Sequence, residues 1–241
     1  MRISRLAPAL AAAAVSLLAL FAPTASAAPT AAPVTARGSQ PIIGGGYAGS
    51  GPWAARLYSN GQETCTATII APTWVLTAKH CVAGGGSLSF RVGSLDQYSG
   101  GTVANGVQTY THSADLALVR LDRSVPTTYA SLGQPGTVRV GQNVQVYGWG
   151  ATSQCGSEIN CQSRYLKVAN VTVAGGCTDA YGGSAICAYR GDGITAGGDS
   201  GGPMMANGVQ VGVASTSDRQ SNTAYTNVTA YRSWIQSVAG V

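Results

Sequence analysis

The chain has 241 residues, six cysteines and 33 glycines, with charged residues at 10% and a formal net charge of +5. Charged residues average roughly 25% in soluble domains, so this composition excludes a coiled coil, a charged disordered tail and a nucleic-acid-binding arm. Arg2, Arg5 and Arg37 precede Ile42 with no acidic residue among them, so the 200 residues from there to the end carry eleven basic and nine acidic side chains, which points to neither nucleic acid nor an anionic membrane as partner.

In chain order, residues 1–27 combine Arg2 and Arg5, an apolar stretch over 9–22 and the small residues Ala25-Ser26-Ala27, which reads as a secretory signal peptide cut after Ala27. Its apolar part falls short of the roughly 20 residues that a membrane span needs. Residues 28–41, broken by Pro and lacking apolar periodicity, read as a propeptide or linker. No later run is long enough to cross a bilayer, so the product is expected to be secreted and extracellular.

Short runs rich in β-branched and aromatic residues follow at 66–70, 74–77, 88–92, 116–121, 137–140, 144–147, 165–173, 209–214 and 225–228, separated by Gly, Ser, Asn and Pro. That even spacing predicts an all-β barrel or sandwich. Residues 122–136, with Pro126 and Pro135, are the best candidate for the connection between two β units. At the C-terminus the period changes: Val228, Tyr231, Trp234, Ile235 and Val238 share one helical face, with Thr226 and Asn227 as caps.

Six cysteines in an exported chain allow 15 sets of three disulfides. Sequence proximity favours Cys65 with Cys81, Cys155 with Cys161, and Cys177 with Cys187. A zinc site is disfavoured, because there is no C-x-x-C and there are only two histidines.

Gly198-Asp199-Ser200-Gly201-Gly202-Pro203 is the sharpest feature, because flanking glycines let the backbone turn tightly and bring N–H groups close to a bound carbonyl. A serine hydroxyl needs a base of near-neutral pKa, and histidine suits that task. Residues 198–202 also satisfy G-x-S-x-G, but an α/β-hydrolase needs its histidine after the serine, whereas His80 and His112 both precede Ser200. His80 follows an apolar run and adjoins Cys81; His112 sits in a polar loop and reads as incidental. Asp115 opens the apolar run 116–119, which makes it the carboxylate best placed for burial beside the base.

The order His80, Asp115, Ser200 and the words T-A-x-H-C, D-L-A-L-V and G-D-S-G-G-P resemble the trypsin/chymotrypsin-like serine proteases. Ile42-Ile43-Gly44-Gly45, Gly148-Trp149-Gly150 and Ser233-Trp234-Ile235 extend the resemblance over residues 42–241. It implies two six-stranded β-barrels, over about 42–124 and 125–241, with the active cleft between them and a C-terminal α-helix. It further implies an oxyanion hole from the N–H groups of Gly198 and Ser200, a substrate-pairing segment at Ser215, and a freed Ile42 ammonium pairing with Asp199. The expected activity is that of a monomeric endopeptidase acting on protein or peptide substrates without cofactor or metal. The alternatives are an inactive member serving as a binding protein, and an esterase using the same serine.

The pattern departs from the family in several places. Pro41, not a basic residue, precedes Ile42, so a separate processing event at or near Pro41 is expected. Counting back from Ser200 puts Ile194 at the pocket base and Ala196 where a bridging cysteine usually stands. Ser217 and Thr223 replace glycines on the facing wall, and Thr223 is expected to narrow the cavity. These residues predict a preference for small or medium uncharged side chains, with Asp192 or Asp218 as the alternative sources of a basic preference. Lys79 stands where a small residue is common. Asn170 and Asn227 begin glycosylation sequons.

Overall fold

The computed structural model describes residues 42–241, so the expected signal peptide and propeptide lie outside the described residues. Fifteen strands are formed, in order β1 (Ile43–Gly44), β2 (Gly46–Tyr47), β3 (Ala54–Ser59), β4 (Gln62–Ala71), β5 (Trp74–Thr77), β6 (Leu88–Val92), β7 (Thr102–Thr111), β8 (Ala117–Leu121), β9 (Asn143–Gly148), β10 (Lys167–Thr178), β11 (Ser184–Arg190), β12 (Gly193–Ile194), β13 (Pro203–Ala206), β14 (Val209–Ser217) and β15 (Asn222–Asn227). Among the described residues a single α-helix, α1 (Arg232–Ala239), follows the strands. Among the described residues no helix is long and apolar enough to cross a membrane.

The strands close into two six-stranded antiparallel barrels. The first runs β3-β4-β5-β8-β7-β6 and shuts where β6 pairs with β3; the second runs β9-β10-β11-β15-β14-β13 and shuts where β13 pairs with β9. Period-two alternation explains which faces turn inward. In β6, Leu88, Phe90 and Val92 are buried while Ser89 and Arg91 are less so, and in β9 Val144 and Val146 are buried between exposed Asn143 and Gln145. The first core gathers Ala55, Leu57, Phe90, Val92 and Val119; the second gathers Val146, Val171, Ile186, Met204 and Tyr225. A third cluster, with Leu76, Leu118, Val213, Val228 and Ile235, joins residues of both barrels to α1.

Disulfides join Cys65 to Cys81, Cys155 to Cys161 and Cys177 to Cys187. Short loops of this size stabilise by on the order of 3 kcal/mol each in the chain-entropy model.

The run 137–140, expected as a strand, is irregular. Pro135, Gly136 and Gly141 bracket it, Thr137 donates its hydroxyl to the Gln134 carbonyl, and Val140 is left 73% exposed. Ahead of α1 comes a 3-10 turn, Val228–Tyr231, capped by Asn227, whose side-chain oxygen accepts from Thr229 N at 3.1 Å and from Thr229 Oγ1 at 2.7 Å. Asn227→Ala is expected to cost about 1 kcal/mol, read as a lowered Tm with activity intact.

Candidate active site

His80 lies in a 3-10 turn, Lys79–Cys81, directly after β5, and the Cys81–Cys65 disulfide ties that turn to β4. Its backbone N–H donates to Asp115 Oδ1 at 3.0 Å, and its Nδ1–H donates to Asp115 Oδ2 at 2.7 Å. With Nδ1 carrying the proton, the lone pair is left on Nε2.

Asp115 is fully buried in the turn before β8, and its other supports come from the second barrel. Ser215 Oγ donates to Asp115 Oδ2 at 2.7 Å, and Thr226 Oγ1 donates to the Asp115 carbonyl at 3.2 Å. The Asp115 N–H donates to Asp179 Oδ2 at 2.9 Å. Burial raises the Asp115 carboxyl, but the hydrogen bonds from His80 and Ser215 outweigh it and hold the group below its ordinary range. Thr226 therefore holds the backbone of Asp115 and the side chain of Asp179 and is not a helix cap, and Asp179 is a second buried acid for which the sequence carries no signal.

Ser200 occupies the turn before β13, where its carbonyl accepts from Thr66 N at 2.9 Å. Gly201 follows at φ 80°, and a Cβ there would collide with Thr77 Oγ1 and the Thr66 carbonyl, so glycine is required. Five N–H groups around this turn are committed: Ala196 to Asp199 Oδ2, Gly197 to Glu158 Oε2, Asp199 to the Ala196 carbonyl, Gly201 to the Ala214 carbonyl and Gly202 to the Asp199 carbonyl. Those of Gly198 and Ser200 have no acceptor among the described residues. Two free N–H groups beside a serine are what a developing oxyanion requires. Gly198 itself sits at φ 100°, with its carbonyl held by Thr66 Oγ1 at 2.9 Å and Arg56 Nη1 at 3.1 Å.

A cavity of about 320 Å³ opens here, lined by His80, Ser200, Thr195, Ala196, Ala214, the strand end Ser215, Thr216, Ser217, and Arg219. Ser200 and His80 thus face one space, and no hydrogen bond yet joins them among the described residues. Such contacts commonly tighten only on substrate binding. Ile194 does not line the cavity: it is fully buried in β12, paired with Ile43, and Thr195 takes the wall position. Thr223 stands behind that wall, its hydroxyl 2.7 Å from Thr195 Oγ1.

Neither alternative acid enters the cavity. Asp192 accepts from Asn170 N and Nδ2, and Asp218 accepts from the N–H groups of Gln220, Ser221 and Asn222. The Lys79 ammonium lies 4.3 Å from the centre of the Tyr181 ring, a cation–π contact. His112 packs at an angle against the rings of Tyr231 and Trp234, a packing role.

Ile42 is buried with the second barrel's core, at φ 43°, a left-handed conformation that β-branched residues rarely adopt. Asp199 is fully buried and accepts from Gly150 N at 2.7 Å and Ala196 N at 2.9 Å. Burial pushes its carboxyl up to about 6 against those hydrogen bonds. The Ile42 nitrogen is an amide joined to Pro41, so no ion pair with Asp199 forms in this chain. Arg56, also fully buried, bonds to Gln97, Gln162 and the Cys65 and Gly198 carbonyls, and burial brings its guanidinium down to about 10. Among the described residues, the one His, Cys or acid group compact enough to hold a metal is Cys65, His80 and Cys81, whose two sulfurs are consumed by their own bond.

The family model described as Trypsin matches residues 43–235. Brachyurin of Leptuca pugilator is 31% identical over 225 residues, covering 83% of this chain and 99% of that protein. Trypsin alpha of Drosophila melanogaster is 31% identical over 224 residues, covering 82% and 87% respectively. Among solved structures, human heparin binding protein superposes with a TM-score of 0.71 at 26% identity, over 82% of this chain and 96% of the other. Neuropsin, a serine protease expressed in the limbic system of mouse brain, gives a TM-score of 0.66 at 25% identity, over 78% and 94%.

Proposed function

The chain belongs to the trypsin family, and from that premise we propose that it is a secreted, monomeric serine endopeptidase cleaving protein or peptide substrates through Ser200, His80 and Asp115. The observation that carries this reading is the Asp115–His80 hydrogen bond of 2.7 Å, set against a cavity that Ser200 shares. Ser200 Oγ attacks the peptide carbonyl while its proton passes to His80 Nε2. Asp115 keeps the imidazole in the tautomer that can accept it and stabilises the cation that forms. The carbonyl oxygen, now negative, takes hydrogen bonds from the N–H groups of Gly198 and Ser200. His80 then gives the proton to the leaving amine, and water, deprotonated by the same ring, releases the acyl group and returns the serine.

The cavity wall offers small and hydroxyl-bearing side chains, the ion-paired Arg219 guanidinium and no free carboxylate, which supports a preference for small or medium uncharged residues at the cleaved position. A fluorophosphonate is expected to label the processed protein at one site, with labelling abolished in Ser200→Ala. Chromogenic peptides ending in Ala, Val, Leu, Phe, Arg or Lys then rank the pocket, and matched esters separate peptidase from esterase. Similarity to a heparin binding protein favours, as a second reading, a member that binds and does not cleave. Absence of labelling in the processed chain selects that reading.

A further inference from the structure

An ion pair joins the two walls of the pocket. Glu158 lies in the small loop closed by Cys155 and Cys161. Its Oε1 accepts from Arg219 Nε at 2.8 Å, and its Oε2 accepts from Arg219 Nη2 at 3.0 Å and from Gly197 N at 2.8 Å. Arg219 in turn donates from Nη1 to the Ser217 carbonyl at 2.7 Å and from its backbone N to Ser217 Oγ at 3.0 Å. One carboxylate therefore ties the disulfide loop, the turn leading to Ser200 and the far wall of the cavity.

Arg219 is held in this place at a cost. Its φ is 61°, a left-handed backbone conformation that a residue other than glycine adopts with strain. Its side chain is 42% exposed and lines the cavity, so a substrate side chain entering that space meets the guanidinium. The hydrogen bond to Arg219 outweighs burial and holds the Glu158 carboxyl below its ordinary range, so both members are charged.

Resting on the endopeptidase reading, we propose that Glu158 and Arg219 form the charge filter of the substrate pocket, Arg219 repelling basic side chains and Glu158 cancelling its attraction for acidic ones. Neither residue touches the reacting atoms; both determine specificity. The two halves of the pair make opposite predictions. Removing the carboxylate leaves an uncompensated cation at the cavity, and removing the guanidinium leaves an uncompensated anion.

The test measures kcat/KM for matched peptides with Glu, Ala or Lys at the cleaved position, on processed wild type, Glu158→Gln and Arg219→Gly. Glycine at 219 removes the cation and suits the left-handed backbone, so it spares the fold. In Glu158→Gln the Glu:Ala ratio is expected to rise roughly five- to tenfold, and in Arg219→Gly the Lys:Ala ratio to rise by a similar factor, the scale for a half-exposed charge contact. Ratios within one enzyme cancel any general loss from the Gly197 contact, and fluorophosphonate titration counts competent molecules. Unchanged ratios in the variants, or shifts in the same direction, overturn the filter while leaving the peptidase intact. A wild type that takes no label overturns the peptidase reading and the filter with it.

Discussion

Replacing Ser200 by alanine is expected to lower kcat against a peptide amide by on the order of 10⁶, the scale seen when a triad serine is removed in related chemistry, without shifting Tm by more than a degree or two. The physical reason is that neighbouring hydroxyls are engaged elsewhere, Ser215 with Asp115, Thr195 with Thr223 and Ser217 with Arg219. His80→Ala is expected to cost as much, because the two side chains act as one unit. Asp115→Asn is expected to cost about 10⁴-fold, the loss that the same exchange causes in the family's best-known triad. An amide at 115 would present an N–H to His80 Nδ1 and so favour the proton on Nε2, the wrong nitrogen. A tenfold loss or less in the serine variant would remove Ser200 from the chemistry.

The second large effect is a reversal of pH dependence on processing at Ile42. In the uncleaved chain the Asp199 carboxyl lies near 6, above its ordinary 3.8. A raised carboxyl favours folding at low pH, and that advantage is lost as pH climbs through about 6; two pKa units correspond to about 3 kcal/mol. Once Ile42 is a free ammonium beside the carboxylate, the preference inverts, and stability falls on acidification instead. Melting curves between pH 4 and 7 for the Ser200→Ala chain, uncleaved and beginning at Ile42, are expected to slope in opposite directions, and Asp199→Asn to flatten both. Parallel slopes would mean that Ile42 and Asp199 never pair.

The parts of this site that sequence can supply are those written in local words. His80 adjoins Cys81, Ser200 stands among glycines that the turn requires, and Asp115 heads an apolar strand. The parts it cannot supply join remote segments. Arg56 reaches Gly198 across 142 positions and Glu158 reaches Arg219 across 61, and no periodicity links such pairs. The pocket base eludes the sequence for a related reason. An ungapped count lands on Ile194, but β12 pairs that residue with Ile43, and in a strand a displacement of one residue turns the opposite face to the cavity. β7 is hidden because most of its residues are polar or exposed, so the alternation that reveals β6 is absent there.

Asp115 is carried by the first barrel's chain, yet Ser215, Thr226 and Asp179 of the second barrel grip it. On the proposed mechanism, the base is thus aligned by the half of the molecule that supplies the nucleophile. A slight parting of the halves would leave each barrel intact while the imidazole lost its anchor, so heating should silence turnover before far-ultraviolet dichroism registers any melting.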